Sequence, residues 1–473
     1  MGKSKESRRG FIKGLGAIGA VTAVGCISNE NNKTASNTSL TPRAKDAQYM
    51  GDFSATSLKT VRCAFIGVGA RGSGHVSQFA EIEGVEIVAI CDLYEDLAKE
   101  SEKECKEKGI GRHQNIALYH GDEHLWKKML QEIQPDAVFI ATPWSLHAPM
   151  AIATMEAGAH AFLEVPIATT IEEMWKIIAV SEKTQKHCMM MENVNYGREE
   201  LLYLNMCRKG VIGHLLHGEA SYIHELRFQM EEQERGTGSW RTPHYANRNG
   251  NLYPTHGLGP VAQYMNLGRS EDNFSRLVSF SSPAIGRKDY AEKNYDKDHK
   301  WNQLEYNGGD MNTSIIKTTL GRTIMVQWDE TSPRPYSRLN LIQGSKGTLA
   351  GFPTRVALEG GVEGITESHH EWAQGAEQLQ AIYEKYEHPL YKRLGDLATK
   401  MGGHGGMDFM MRYRIIECLR NGTPLDQNVY EGCFWSAVAP LTEASVTQDG
   451  MPQEFPDFTR GEWKKTKPLA IIS

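Results

Sequence analysis

The stretch Val61-Arg-Cys-Ala-Phe-Ile-Gly-Val-Gly-Ala-Arg-Gly72 decides the fold of the first half of the chain. It opens with a short apolar run, which predicts a buried strand, and continues with the spacing G-x-G-x-x-G. A helical pattern follows over residues 72–81, and a second apolar run over residues 85–91 ends in Asp92. A strand, a glycine loop, a helix and an acidic residue about 20 positions further on form a dinucleotide-binding fingerprint.

Each part of this fingerprint has a physical role. Gly67, Gly69 and Gly72 let the backbone approach a pyrophosphate, and the N-terminus of the helix favours its negative charge. Asp92 can accept hydrogen bonds from both hydroxyls of a ribose, and its charge would repel a 2′-phosphate. We therefore predict NAD as the cofactor. The alternative is a glycine turn that binds no ligand.

Strand and helix patterns alternate from residue 59 to about residue 195. Apolar runs recur at residues 136–141, 160–163 and 187–191. Amphipathic segments at residues 146–157 and 171–182 separate these runs. The alternation predicts a Rossmann-type α/β domain, with a doubly wound parallel sheet, over residues 59–195.

The pattern changes after about residue 212. Short runs typical of strands occur, with few long helices between them, at residues 215–223, 277–281, 311–319, 323–329 and 339–343. We predict that residues 196–473 form an α+β substrate-binding domain with an open, largely antiparallel sheet. Helices at residues 408–419 and 431–448 return to it. The exposed face of the sheet is a candidate surface for a homodimer.

The N-terminus carries an export signal. Ser7-Arg-Arg-Gly-Phe-Ile-Lys13 has the twin-arginine pattern, and the apolar run at residues 15–24 is too short to span a bilayer. Ala23-Val-Gly-Cys26 resembles a lipobox, which leaves two alternatives, lipidation of Cys26 or simple cleavage. We expect residues 1–26 to direct export by the twin-arginine route and residues 27–58 to form a polar tether. The mature protein would then be periplasmic or a membrane-anchored lipoprotein.

An NAD-binding domain behind an export signal restricts the chemistry. No soluble NAD pool exists outside the cytoplasm, so we expect a cofactor that is loaded before export and regenerated within each turnover. The net charge of −6 gives no reason to expect a nucleic-acid partner. The eight cysteines lack paired short spacings, and no histidine joins a Cys or Asp cluster, so we expect neither a disulfide framework nor a metal site.

Three later motifs point to a family. Ala141-Thr-Pro143, His147 and Glu164-Val-Pro166 resemble the glucose–fructose oxidoreductase/inositol dehydrogenase (Gfo/Idh/MocA) family, from about residue 60 to the C-terminus. Most members have a lysine between the glutamate and the proline, where it assists proton transfer beside the nicotinamide. Here that residue is Val165, which cannot transfer a proton. The chain therefore departs from the standard dehydrogenase mechanism.

The departure itself matches a subgroup. Together with Trp144-Ser-Leu-His147, Glu192-Asn193 and Tyr253-Pro-Thr-His256, it is similar to glycoside hydrolase family 109, the NAD-dependent α-N-acetylgalactosaminidases. The resemblance implies that one set of residues lies along the cofactor: Ala70, Arg71, Asp92, Trp144, Ser145, Leu146, His147, Glu164, Val165 and Asn193. Of these, Glu164, Val165 and Asn193 would lie near the nicotinamide. It implies that a second set forms the sugar pocket: Tyr222, Arg241, Tyr253, Pro254, Thr255, His256 and Tyr336.

The residue types around the second set suit a carbohydrate. Residues 239–257 concentrate aromatic rings that can cover the C–H faces of a sugar and donors that can bind its hydroxyls. His256 is the first candidate for acid–base catalysis because imidazoles titrate near neutral pH, and Tyr253 could share that role. The alternative for both residues is a structural side chain in a packed segment.

The resemblance implies a retaining glycosidase acting on terminal α-linked N-acetylgalactosamine in a glycan or glycoconjugate. Our mechanistic hypothesis is oxidation at C3, removal of the C2 proton, elimination of the aglycone, addition of water and re-reduction, with no net redox change. Two alternatives stay open. One is an exported sugar oxidoreductase or transhydrogenase with tightly bound NAD(P), and the other is a non-catalytic sugar-binding lipoprotein.

Overall fold

The computed structural model describes residues 42–362, 366 and 370–472. The predicted export signal, Cys26 and the first part of the predicted tether lie outside the described residues. The described residues belong to one compact unit. None of the helices within these ranges is both long and apolar enough to cross a membrane.

The first half of the chain folds around a parallel sheet. Its elements are β1 (Val61–Ile66), α1 (Gly72–Glu81), β2 (Val85–Asp92), α2 (Glu95–Lys108), β3 (Ala117–His120), α3 (Leu125–Ile133), β4 (Ala137–Ile140), α4 (His147–Glu156), β5 (His160–Leu163), α5 (Ile171–Thr184) and β6 (Cys188–Met190). The predicted strands are apolar and buried; for example, no residue of β4 or β5 is exposed. Helix α5 starts at a capping box between Thr170 and Glu173, which satisfies its first amide groups.

The six strands lie in the order β3–β2–β1–β4–β5–β6, and every neighbouring pair is parallel. The predicted doubly wound sheet is therefore confirmed. The order reverses between β1 and β4, and ligands of such sheets bind beyond the carboxyl ends of the strands at that point. Strand β3 and helix α3 were not predicted, because the edge strand β3 is only half-buried and its Ala-Leu-Tyr-His sequence is no continuous apolar run.

The second half of the chain is a larger mixture of helices and strands. Its elements are α6 (Arg198–Arg208), β7 (Leu215–Ile223), α7 (Thr237–Ala246), α8 (Thr255–Tyr264), β8 (Phe274–Ser281), α9 (Gly286–Asn294), β9 (Asn312–Thr318), β10 (Thr323–Asp329), β11 (Leu341–Gly344), β12 (Gly347–Ala350), β13 (Arg355–Leu358), α10 (Ala376–Tyr386), α11 (Pro389–Met401), α12 (Met407–Asn421), α13 (Val429–Thr447) and β14 (Gln453–Glu454). Its helices are more numerous than the sequence pattern indicated.

The second sheet has eight strands in the order β13–β12–β11–β7–β10–β9–β8–β14. Only β7 and β10 pair in parallel among the strands described, and the other pairs are antiparallel. The open, largely antiparallel sheet is confirmed. Helix α8 packs on β7, so the sheet positions the end of the predicted sugar-binding segment, residues 255–257.

The C-terminal helices join the two halves. Helix α12 contacts α1 and β1, and α13 contacts α5 and β6. Met411 and Ile415 of α12 share a buried core with Phe65, Phe79 and Phe139. The rings of Phe79 and Phe139 lie 4.1 Å apart at the centre of this core. Helix α12 therefore packs against one face of the first sheet, and α13 belongs to the core on the other face, with Met174 and Met190.

Residues 42–58 differ from the predicted tether. The backbone amide of Gln48 donates to the carbonyl of Glu182, and that of Leu58 donates to the carbonyl of Leu419. The ring of Tyr49 stacks on Tyr430 with centroids 4.9 Å apart, and Met50 is buried. The prediction of a free tether was wrong for this part, because a few aromatic and apolar side chains in a polar segment are enough to pack it onto the fold.

Candidate active site

One large cavity lies where the two halves of the chain meet, beyond the carboxyl ends of β1, β2, β4 and β5. Its volume is about 730 Å³. The glycine loop lines one side, and residues of α7 and α8 line the other, so the predicted cofactor and sugar sets face the same space. The predicted residues on its lining are Gly67, Gly69, Ala70, Arg71, Asp92, Trp144, Leu146, His147, Glu164, Val165, Asn193, Tyr222, Arg241, Tyr253 and His256.

The three glycines of the loop have different surroundings. Gly67 has a positive φ of 80°, and Gly72 packs so closely that a Cβ there would lie 1.9 Å from the carbonyl oxygen of Gly67. A Cβ at Gly69 would meet nothing within 4 Å, and this residue lines the cavity. Helix α1 begins at Gly72 without a side-chain cap, so the positive end of its dipole faces the loop.

Asp92 holds the loop and the turn that follows β2. Its Oδ2 accepts a hydrogen bond from the amide of Val68 at 2.7 Å, and its Oδ1 accepts one from the amide of Tyr94 at 2.8 Å. A carboxylate has lone pairs left for further donors, so ribose hydroxyls can still bind it. Arg71 is not free to bind a 2′-phosphate, because its guanidinium is bonded elsewhere.

Arg71 joins three segments through charge-assisted hydrogen bonds. Its Nε donates to Oε1 of Glu164 at 2.7 Å, and its two terminal nitrogens donate to Asp408 at 2.6 and 3.1 Å. Glu164 follows β5, and Asp408 lies in the first turn of α12. Nδ2 of Asn193 also donates to Asp408, at 2.6 Å. The cofactor loop is thus bound to both β5 and a C-terminal helix.

A second cation approaches Glu164 through a histidine. Nε of Arg412 donates to Nδ1 of His75 at 2.9 Å, and Nε2 of His75 donates to Oε1 of Glu164 at 2.8 Å. Burial, with the charge of Arg412, lowers the pKa of His75 to about 4, so its ring is neutral at pH 7. Burial alone would raise the pKa of Glu164, but the charge of Arg71 and the bond from His75 hold it well below its usual range. Glu164 is therefore ionised and cannot be a general acid.

The turns after β4 and β5 are held against each other by His147. Its Nδ1 lies 2.7 Å from the carbonyl oxygen of Pro166, and its Nε2 lies 3.0 Å from that of Thr142. The side chain is fully buried. His147 therefore supports the cavity wall beside Val165, and its ring nitrogens are occupied by the backbone.

Aromatic rings form the opposite wall. The centroids of Tyr222 and Tyr253 are 4.7 Å apart, and Trp144 lies 5.7 Å from Tyr253. The guanidinium of Arg241 lies over Trp144, Trp240 and Tyr253 at 4.9, 5.3 and 5.5 Å. Within the part of the chain that the structure describes, no carboxylate pairs with Arg241, and its buried Nε has no hydrogen-bond partner. This wall offers a ligand ring faces and a cation that has no direct ion-pair partner among the described residues.

The protonation state of Tyr253 follows from its surroundings. Burial raises its pKa by more than the nearby charge of Arg241 lowers it. The phenol is therefore protonated at neutral pH, where it can donate a proton but cannot act as a resting base. The same cause raises the pKa of Tyr222, whose hydroxyl lies 2.9 Å from Nδ1 of His224.

His256 is bonded to a buried carboxylate. Its Nδ1 lies 2.7 Å from Oε1 of Glu192, a residue with no exposed surface. A carboxylate can only accept, so Nδ1 carries the proton and Nε2 carries the lone pair in the neutral ring. The pair has the form of the acid–base dyads of hydrolases.

Five predicted residues lie beside the cavity and not on its lining. Pro254 precedes α8, and Thr255 begins it with almost no exposed surface. Tyr336 is 39% exposed and accepts a hydrogen bond from Arg338 at 2.8 Å, while its ring packs 6.1 Å from Tyr222. The remaining two are Gly72 and Ser145.

Several lining residues were missed by the sequence analysis. They are Leu93, Tyr94, Leu97, Asp122, Glu123, Trp126 and Met150 near the glycine loop, and Gln229, Arg235, Gly236, Thr237, Ser239, Trp240 and His404 near the aromatic wall. Leu93 and Tyr94 follow β2 directly, and this position at a strand end could have indicated them. Trp240 stood within the segment already singled out. His404 lies in the glycine-rich turn at residues 402–406, a pattern that could have indicated it, and its Nδ1 lies 2.8 Å from Oδ2 of Asp408.

A segment of the second half crosses to the first half beside the cavity. Nη2 of Arg235 donates to Asp96 at 2.8 Å, and its guanidinium lies 4.4 Å over the ring of Tyr94. Residues 233–239, here named the strap, contribute four residues to the cavity lining. On its own side the strap is fixed by Lys300, whose Nζ donates to the carbonyl of Gln233 at 2.6 Å.

Each half of the chain matches a known protein family. Residues 61–192 match the Gfo/Idh/MocA oxidoreductase family, NAD-binding Rossmann fold, and residues 196–465 match the glycosyl hydrolase 109 C-terminal domain. The chain is 60% identical to glycosyl hydrolase family 109 protein 1 of Akkermansia muciniphila over 99% of each chain. The chain belongs to glycosyl hydrolase family 109.

This family 109 member is also 52% identical to an α-N-acetylgalactosaminidase of Shewanella oneidensis, over 98% of each chain. Among solved structures it resembles levoglucosan dehydrogenase in complex with NADH and L-sorbose, with a TM-score of 0.63. That match covers 85% of this chain and 100% of the other, and at 17% identity it bears on the fold alone. The predicted family is confirmed, and the chain is an NAD-binding enzyme of the glycoside hydrolase class.

The cavity of this family 109 enzyme fits NAD. The space at Gly69, the uncapped start of α1 and the carboxylate of Asp92 suit a pyrophosphate and a ribose. Oδ1 of Asn193 is buried with no partner among the described residues, and it can accept a hydrogen bond from an amide such as the nicotinamide carboxamide. Within residues 42–362, 366 and 370–472, no group of three or more His, Cys, Asp or Glu side chains could hold a metal ion.

Two glycine substitutions should separate cofactor binding from folding. Gly69→Val places a side chain in the open space of the cavity, so we expect about 100-fold weaker NAD binding, or ~2.7 kcal/mol, with unchanged stability. Gly72→Ala forces a Cβ against the carbonyl of Gly67, so we expect a loss of about 1–3 kcal/mol in the free energy of unfolding. Titration with NAD and denaturant unfolding measure the two effects. Full NAD affinity in Gly69→Val would contradict the site.

The buried charge network should make the enzyme acid-sensitive. The pKa of His75 is near 6.5 in the unfolded chain and about 4 in the folded protein, so the unfolded state binds more protons between these pH values. The free energy of unfolding therefore decreases as the pH is lowered from 6.5 to 4. The depressed pKa values of Glu164 and Asp408 add a loss below about pH 4, where the unfolded carboxyls protonate first. Denaturant unfolding from pH 7 to pH 3 should show this decline. The Asp408→Asn variant should have a shallower slope below pH 4, and an equal slope would contradict the assignment.

Proposed function

We propose that this enzyme removes terminal α-linked N-acetylgalactosamine from glycans in a redox-neutral cycle at a cofactor that stays bound. The observation that carries the proposal is that one cavity is lined both by the glycine loop and by Tyr253 and His256. Oxidation of a sugar carbon and proton transfer at its neighbour can therefore occur on the same bound sugar. The name of the Shewanella oneidensis relative supports the choice of substrate.

The cofactor and the side chains divide the chemistry. Gly69, Asp92 and Asn193 would hold NAD, which would supply reversible hydride transfer at C3 of the sugar. A ketone at C3 makes the C2 hydrogen acidic, so that a side-chain base can remove it. Val165 is buried where most Gfo/Idh/MocA members have lysine, so the proton transfer falls to the opposite wall.

On that wall His256 is the base and Tyr253 is the acid. Nε2 of His256 takes the C2 proton, and the electron pair of the C2–H bond forms a C1–C2 double bond while the C1–O bond breaks. The protonated phenol of Tyr253 donates its proton to the departing aglycone oxygen. Water then adds at C1 and returns a proton to Tyr253, and His256 returns its proton to C2. Both side chains end in their starting states.

Arg241 is the substrate-binding cation of the proposal. Its guanidinium is held over three aromatic rings and pairs with no carboxylate in the described residues. A guanidinium with free donors in a cavity binds a strong neutral acceptor or an anion. The carbonyl oxygen of a 2-acetamido group is such an acceptor, and it distinguishes N-acetylgalactosamine from galactose.

The proposal is tested by incubation of the purified enzyme with an aryl α-N-acetylgalactosaminide in deuterated water, without added cofactor. We expect release of the aglycone and deuterium at C2 of the product, because C2 loses and regains a proton in each turnover. In the His256→Asn variant, the rates of aglycone release and of deuterium incorporation at C2 should both fall by about 10²–10⁴-fold. The variant should keep its NAD, since only the base is removed. Mass spectrometry or NMR of the sugar measures the exchange.

Two other outcomes of this experiment would contradict the proposal. Aglycone release without C2 exchange would exclude the elimination mechanism. No release, with interconversion of free sugars, would favour the sugar oxidoreductase or transhydrogenase. An aryl α-galactoside, which lacks the acetamido group, is the control substrate and should be cleaved more slowly.

We also propose that the enzyme works outside the cytoplasm. The support is the twin-arginine pattern at residues 7–13 and the cysteine at position 26. In cells of a bacterium with this transport route, Arg8→Lys combined with Arg9→Lys should shift the enzyme from the periplasmic or membrane fraction to the cytoplasm. Cell fractionation and immunoblotting measure the shift, and Cys26→Ser is the matched variant for membrane anchoring. An unchanged distribution of the double variant would contradict the proposal.

A further inference from the structure

We infer that Glu192 is a positioning residue for His256: it fixes the imidazole tautomer and stabilises the imidazolium that forms when His256 takes the C2 proton. The inference rests on the proposed function, in which His256 is the base. It goes beyond that proposal by naming the residue that orients the imidazole of His256 and directs its Nε2 into the cavity. Glu192 itself is absent from the lining of the cavity, so it would act only through His256.

The geometry of the pair is that of a carboxylate holding an imidazole. Oε1 of Glu192 lies 2.7 Å from Nδ1 of His256, within the range of a charge-assisted hydrogen bond. The same oxygen accepts a hydrogen bond from the amide of Val194 at 3.2 Å, which fixes the carboxylate at the end of β6. No described residue bonds Nε2 of His256, and the side chain of His256 retains 15% exposure in the cavity.

Glu192 is buried at a cost that a structural role does not explain. The residue has no exposed surface, and its Oε2 has no hydrogen-bond partner in the described residues. A buried carboxylate with one bare oxygen is unfavourable unless a positive charge forms beside it. Proton uptake by His256 creates that positive charge at 2.7 Å. The arrangement is therefore most stable in the state that follows removal of the C2 proton.

The backbone is built to bring α8 close to this carboxylate. A Cβ at Gly259, one turn after His256, would lie 3.1 Å from Cγ of Glu192 and 2.8 Å from Oδ1 of Asn195. A Cβ at Gly257 would lie 2.3 Å from the amide nitrogen of Ser221 in β7. Larger residues at these positions would push α8 away and lengthen the bond between His256 and Glu192.

The other titratable groups around His256 do not replace Glu192. The phenols of Tyr222 and Tyr253 face the imidazole edge-on at 5.2 and 5.0 Å, and both are protonated. The other titratable side chains near this corner of the cavity are His224, Arg241, Glu164, Glu330 and His404. None of these forms a hydrogen bond to His256 in the described part of the chain, so Glu192 is the carboxylate that sets its tautomer.

The test compares Glu192→Gln with Glu192→Asp. Without substrate, NMR titration of the His256 ring, assigned with the His256→Asn variant, should move to lower pH by about one unit in Glu192→Gln, because a neutral amide no longer stabilises the imidazolium. The acidic limb of the pH profile for aglycone release should move the same way, and kcat should fall on the order of 10²-fold. Glu192→Asp keeps the charge and should restore most of the titration shift and part of the activity.

The matched control is Glu182→Gln, which neutralises another fully buried carboxylate far from the cavity. It should leave the His256 titration and the acidic limb unchanged even where it lowers Tm. A wild type that is active and a Glu192→Gln variant that is folded with an unchanged titration would overturn the inference alone. A wild type that releases no aglycone would overturn the proposed function as well, so the two failures are distinguishable.

Discussion

The cavity depends on the two carboxylates that Arg71 holds together. Glu164 and Asp408 stand 93 and 337 residues from Arg71 in the sequence, and they belong to a strand end and a C-terminal helix. With Arg412 and the neutral His75, the network has equal numbers of positive and negative charges. Loss of one member of a buried pair leaves an uncompensated charge, at a cost of about 3–5 kcal/mol. This constraint fixes the loop, the strand and the helix in one arrangement.

The same constraint divides the chemistry between two walls. The carboxylates beside the glycine loop are kept ionised by arginines, so they can neither donate protons nor act as the acid of a paired-carboxylate glycosidase. The groups proposed to transfer protons lie on the opposite wall, where burial keeps Tyr253 protonated and Glu192 bonds His256. Val165, between the walls, contributes only an apolar surface. In the proposed function, hydride chemistry takes place at one side of the cavity and proton chemistry at the other.

Local patterns in the sequence were enough for the parallel sheet, the glycine loop and the aromatic segment. Strand periodicity and the spacing of Gly67, Gly69 and Gly72 depend on neighbours in the chain, so they are visible without a structure. The bonds from Arg71 to Asp408 and from His256 to Glu192 join residues 337 and 64 positions apart, and no periodicity records them. The packing of residues 42–58 was missed for the same reason, since its partners come from the far end of the chain.

The strap illustrates a difference between covering a site and binding its ligand. The pair between Arg235 and Asp96 is exposed, with side chains 41% and 66% accessible, so solvent and salt screen it. The ring of Tyr94, which Arg235 also contacts, is itself 38% exposed. The buried groups of the cavity wall, such as Asp92 and Asn193, are therefore better placed to hold a nucleotide than the exposed pair that ties down the strap.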